Sequence, residues 1–107
     1  MQMVEQAQLD ALVRSIRQHF KPKRIILFGS HARGDSHEAS GLDLCLVVPE
    51  AGDWLERQIE FHRAVDSPGV QVQPYIYTAA EFERLRAEAN PFVLAIIEEG
   101  RVLHEQQ

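Results

Sequence analysis

Between Val4 and Phe20 the apolar residues Leu9, Leu12, Val13, Ile16 and Phe20 recur at helical spacing, with Arg14, Arg17 and Gln18 opposite. This predicts an amphipathic helix that Lys21-Pro22 ends. Arg24-Ile25-Ile26-Leu27-Phe28 is apolar without alternation and stops at Gly29-Ser30, the pattern of a strand covered on both faces. His31 to Ser40 is polar and predicts one helical turn followed by a loop. Leu42 to Val48 predicts a second strand, with Leu42, Leu44, Leu46 and Val48 on one face and Gly41, Asp43, Cys45 and Val47 on the other.

From Asp53 to Val65 a second long helix is predicted, with Leu55, Ile59, His62 and Val65 as its apolar positions and Trp54 and Phe61 alongside. Val70 to Tyr77 predicts a third strand, and Pro74 within it requires an edge position or a bulge. Thr78-Ala79-Ala80-Glu81 has the form of a capping box opening a helix to about Ala89. Asn90-Pro91 supplies a cap and a first-turn proline for another helix, Gly100 stops it, and Val102-Leu103 predicts a short edge strand. The expected fold is therefore α/β or α+β: a small mixed sheet of three to four strands packed by helices.

Composition narrows the picture little beyond a globule. The 107 residues fit one domain spanning 1–107, with 45% hydrophobic and 25% charged residues. So short a chain buries only about two-thirds of its unfolded surface, so a partner or a homo-oligomer would add useful burial. The net charge of −5, without a basic stripe, argues against direct nucleic-acid or anionic-membrane binding. A lone cysteine, Cys45, excludes an intrachain disulfide and fits a reducing compartment. With no signal-peptide profile and no apolar run of spanning length, the expected location is the cytoplasm.

Candidate chemistry concentrates in Leu27 to Leu46, LFGSHARGDSHEASGLDLCL. A strand that ends in Gly-Ser and turns directly into a helical segment aims backbone N–H groups and a hydroxyl at one point, which suits a phosphate. The same two residues also read as a plain turn with a serine N-cap. Ten residues separate Ser30 from Gly41, and Asp43 follows two further on, on the same strand face.

This spacing resembles the minimal nucleotidyltransferases of the DNA polymerase beta superfamily, whose signature is Gly-Ser, ten residues, then Asp-x-Asp. The resemblance extends to the opening helix, the Ile-Ile-Leu-Phe strand, Arg33-Gly34-Asp35 and the closing Glu99-Gly100-Arg101-Val102-Leu103. It implies that Gly29 and Ser30 hold the phosphates of ATP or another nucleoside triphosphate. Arg33 in the loop could contact a phosphate as well, or equally read as a surface charge or a cap. The resemblance also implies that Asp43 is the catalytic carboxylate ligating Mg²⁺. The first aspartate of the pair is replaced by Gly41. The third acid belongs at Gln73, or at Gln71 if the register shifts by two.

Two of three carboxylates are thus missing. A charge pair at ~4 Å contributes about 4 kcal/mol at an effective dielectric near 20, so two lost partners of a divalent ion remove on the order of 10 kcal/mol of gross attraction. Glutamine offers a carbonyl oxygen and no charge. Asp35 and Glu38, in the loop, are the carboxylates that could swing toward Asp43, although loop carboxylates are usually solvated. A zinc site from His31, His37 and Cys45 matches no ligand spacing, and Cys45 reads as a small buried apolar residue. Tyr75 and Tyr77 could stack on a base but read first as packing residues, and Trp54 as a helix anchor or a partner contact.

The resemblance implies a protein partner, since minimal nucleotidyltransferases occur beside HEPN-domain helical proteins in toxin–antitoxin modules. Two functions follow. One is a non-catalytic antitoxin-like module that neutralises such a partner by contact. The other is an active Mg-dependent enzyme transferring a nucleoside monophosphate, AMP in the first instance, to a protein or small-molecule acceptor. The missing acids favour the first.

Overall fold

The structure is a computed structural model describing residues 5–35, 41–67 and 69–106. Four strands form one mixed sheet: β1 (Arg24–Phe28), β2 (Leu42–Val48), β3 (Val72–Thr78) and β4 (Arg101–Glu105), in the order β3-β2-β1-β4. β1 runs antiparallel to β2 and β4, and β2 runs parallel to β3. The helices are α1 (Gln6–Phe20), α2 (Ser30–Arg33), α3 (Trp54–Ala64), α4 (Ala79–Ala87) and α5 (Pro91–Glu99).

Both sheet faces are covered, as the unbroken apolar run of β1 requires. Ile25, Leu27, Leu42, Leu44, Leu46, Val48 and Ile76 meet Leu9, Leu12 and Ile16 of α1 and Phe61 of α3. On the other face Ile26, Phe28, Cys45 and Val47 meet Phe82 of α4 and Val93 and Ile96 of α5. β2 lies between β1 and β3, and its residues from Leu44 to Val48 are all buried.

The helix starts follow their capping residues. The Glu56 N–H donates to Asp53, the Val93 N–H to Asn90, and Thr78 and Glu81 exchange two bonds, each donating from its backbone N–H to the other's side chain. Each such cap contributes about 1 kcal/mol. Gly100 stops α5 with an ordinary φ of −75°. Its need for glycine is space, since a Cβ there would run into the Ile96 carbonyl and the Ile26 side chain.

Pro74 sits where its missing N–H costs nothing, because β3 is an edge strand. The carbonyls along that strand are capped from α3: Gln58 donates to the Pro74 carbonyl at 2.9 Å and Arg57 to that of Ile76 at 2.9 Å. Arg57 also donates to the Gly52 carbonyl and makes a two-point pair with Glu81, at 2.8 and 3.0 Å.

Here the helical pattern misleads. Leu55, Ile59 and His62, expected to face the core, point outward, and Leu55 is 67% exposed. The inward face of α3 is Arg57 and Phe61 instead. The long arginine covers apolar surface with its stem while its guanidinium satisfies carbonyls that no leucine could serve.

The Arg57 hydrogen bonds, against a smaller opposing effect of burial, lower the Glu81 pKa from 4.5 to about 2. A carboxylate whose folded pKa is depressed stabilises the fold above its unfolded pKa and loses that contribution as pH falls through the folded value. Stability measured by urea unfolding is therefore expected to decline between pH 4.5 and about 2, and the Glu81→Gln variant to show a shallower decline. Arg57→Ala is expected to cost about 2–4 kcal/mol at neutral pH, because it strands Glu81 and two carbonyls.

Candidate active site at the end of β1 and β2

β1 delivers Phe28 opposite Asp43 of β2, and β2 in turn places Asp43 beside Gln73 of β3. The Leu42 N–H donates to the Gln71 carbonyl at 2.8 Å, extending that parallel pairing by one step. Of the two alternatives for the third position, the structure thus puts Gln73 next to Asp43. Gly41, Asp43 and Gln73 meet at one sheet end. A Cβ on Gly41 would lie at ordinary contact distance, 3.6 Å, from the Gln73 side chain and the Gln71 carbonyl.

After Phe28 the chain turns sharply. Gly29 has φ 78° and ψ −155°, a conformation that L side chains rarely adopt. A second constraint acts on the same atom, since a Cβ on Gly29 would collide with the Asp43 carboxylate. The Gly29 carbonyl accepts from Ala32 and Arg33, so the turn passes directly into α2. Glycine here lets the backbone of the Gly29-Ser30 turn lie against Asp43.

Burial raises the Asp43 pKa, and the charges of His31 and Arg33 oppose that rise. Arg33 is exposed and ion-paired to Asp35 at 3.2 Å and to Glu99 of α5 at 3.6 Å. Asp35 is therefore directed to Arg33, while Glu38 and His37 lie outside the described residues. Beside Asp43 three rings pack together: Phe28 and Tyr75 at 5.3 Å, Phe28 and Phe92 at 5.6 Å, Tyr75 and Phe92 at 5.2 Å. Phe28, Gly29, Arg33, Phe92, Ala95 and Glu99 line a notch of about 180 Å³. Phe92 and Glu99 join the site through the packing of α5 on β1, a contact between distant segments that no local pattern encodes. Tyr77 instead packs between Trp54 and Phe82. Cys45 is buried, and that burial holds its thiol up at about 12, so it stays protonated.

The donor set at 41, 43 and 73 is a glycine, one carboxylate and one amide. Among the described residues no group of three or more His, Cys, Asp or Glu is placed to hold a metal ion. One carboxylate beside an amide does not make up the oxygen cage of a two-metal phosphoryl-transfer site.

A four-stranded mixed sheet with a Gly-Ser turn lying against a strand aspartate defines the class of nucleotidyltransferase-fold domains. Residues 9–104 match the nucleotidyltransferase domain family, and the chain belongs to it. A Methanocaldococcus jannaschii protein assigned as a protein adenylyltransferase is 35% identical over 43 residues, covering 40% of this chain and 50% of the relative. The match thus spans half of that relative's length. A toxin–antitoxin complex crystallised with AMP-PNP superposes with a TM-score of 0.69 at 19% identity, over 92% of this chain and 73% of the other. A Sulfolobus solfataricus structure assigned as a nucleotidyltransferase gives 0.55 at 15% identity, over 95% and 90%. These likenesses show the fold. The family typically uses Mg²⁺ and a nucleoside triphosphate.

Gly29→Ala is expected to destabilise the protein by about 1–3 kcal/mol, from backbone strain and the clash with Asp43. Combined with Asp43→Ala the clash is relieved and the strain remains, so a double-mutant cycle in urea should give a coupling of roughly 1 kcal/mol. Strict additivity would show that the two residues do not meet.

Proposed function

We propose that this chain is the antitoxin-like partner of a HEPN-type protein, acting in the cytoplasm by contact and without efficient nucleotidyl transfer. The observation that carries this reading is the pair of non-acidic residues, Gly41 and Gln73, flanking Asp43 at the sheet end. Phosphoryl transfer depends on positioning and charge neutralisation, and a single carboxylate supplies little of either to Mg²⁺. Phosphate contact by Gly29, Ser30 and Arg33 is part of this reading, which allows weak nucleotide binding without chemistry. The toxin–antitoxin likeness supports a protein partner. The M. jannaschii relative's assigned activity supports the competing reading, AMP transfer to a protein acceptor.

Two measurements separate them. Calorimetry with ATP and Mg²⁺ is expected to show no metal-dependent binding by the natural chain. The double variant Gly41→Asp, Gln73→Asp should gain it, since neither substitution lacks room or needs a strained backbone. In cells expressing the HEPN-type protein encoded beside this chain, the natural chain and Asp43→Ala are expected to restore growth equally. Loss of rescue in Asp43→Ala, together with an AMP adduct on the partner in intact-mass spectra, would replace the contact mechanism with catalysis.

A further inference from the structure

The outward face of α3 has the form of a helix-packing seam with nothing packed on it in this chain. Leu55, Ile59 and His62 follow one another at intervals of four and three residues, the spacing of alternating d and a positions in a coiled coil. All three are exposed, Leu55 at 67% and Ile59 at 47%. Trp54, although 46% exposed, lies outside the seam, because its ring packs on Tyr77. α3 does not need this face for its own fold, because Arg57, Gln58 and Phe61 already fasten it to β3, α4 and the core.

The flank of the seam identifies what fits it. Glu56 and Arg63 directly follow Leu55 and His62 and are seven residues apart, so they occupy the same position two turns apart on the same side of the seam. When two such helices pack antiparallel about a two-fold axis, equivalent flanks face each other. With Ile59 at the crossing point, Glu56 of each copy meets Arg63 of the other, and both pairs form at once. A parallel arrangement leaves equivalent flanks on opposite sides of the seam, so Glu56 and Arg63 do not meet.

We propose that α3 is a self-association surface, through which two copies of this chain pair antiparallel about Ile59, with reciprocal Glu56–Arg63 contacts. Asp53 and Glu60 crowd negative charge around Glu56, and the hydrogen bond and charge of Asp53 chiefly raise its pKa. An incoming guanidinium relieves that crowding. A helix of 11 residues is only about 16 Å long, so the contact is smaller than a standard interface of about 800 Å² per partner, and the dimer is weak and concentration-dependent. This inference stands apart from the proposed antitoxin role, since the seam lies on the opposite sheet face from Asp43.

Sedimentation equilibrium of the purified chain, from about 1 μM to about 1 mM, tests it. A monomer–dimer equilibrium is expected within that range. Ile59→Asp should weaken it by at least ~100-fold and Glu56→Arg by about 10-fold. Glu56→Arg combined with Arg63→Glu should restore the natural affinity, a result that general loss of surface apolarity does not produce. Circular dichroism melts confirm that each variant is folded. A natural chain that is monomeric throughout overturns the proposal and leaves α3 to another partner. A dimer indifferent to Ile59→Asp, or a charge swap that fails to restore it, places the interface elsewhere.

Discussion

The constraint on which much of this architecture rests is the burial of the Arg57 guanidinium at the edge of the sheet. A strand at an edge exposes carbonyls and N–H groups that must find partners or water. β3 meets that demand with Pro74, which has no N–H, and with donors from α3 to the carbonyls of Pro74 and Ile76. The same arginine is held by Glu81, which also closes the first turn of α4 through Thr78. One charged group therefore fixes a strand, the helix before it and the helix after it. Ion pairs of this kind add little net stability over apolar packing and are costly to break. Here the pair fixes position: it ties α3 and α4 to β3, the strand that sets Gln73 beside Asp43.

At the other end of the sheet the controlling contact is between a backbone and a carboxylate. Gly29 combines a positive φ with the absence of a Cβ, and only that combination lets the turn lie on Asp43. The geometry is thus that of a nucleotidyltransferase domain even though residues 41 and 73 carry no charge. Folding constrains Gly29 and Asp43 jointly, whereas nothing in the packing demands an acid at 41 or 73. Gly41 has room for a larger side chain and Gln73 is exposed. Positions that bear on chemistry and not on packing are free to change without disturbing the fold.

β1 and β2 were legible because their residues are nearly all buried, and unbroken apolar runs between turn residues admit few alternatives. β1 and β2 fall on the residues expected, and α4 and α5 begin at their capping residues. The Gly-Ser turn and Asp43 were legible because the motif is local. The orientation of α3 was not, since periodicity ranks residues by polarity and a buried arginine defeats that ranking. Leu55 and Ile59 carried the stronger apolar signal, yet the core took Phe61 and Arg57, because the unpaired carbonyls of β3 required donors. Phe92 and Glu99 escaped for a different reason: their place at the site depends on how α5 docks.

Electrostatics explains how Asp43 persists in this setting. A half-buried carboxylate costs free energy unless opposite charge lies nearby. His31 and Arg33 contribute such charge, and both belong to α2, which follows the Gly29 turn. Arg33 is itself divided among Asp35, Glu99 and the field at Asp43. At Asp43 burial outweighs the charges of His31 and Arg33, and the pKa stays raised. The turn, the loop acid and the last helix are thereby joined in one charge network around a single aspartate. Such a network couples the shape of the site to the protein's own cations, which act on Asp43 from the helix that follows the turn at Gly29.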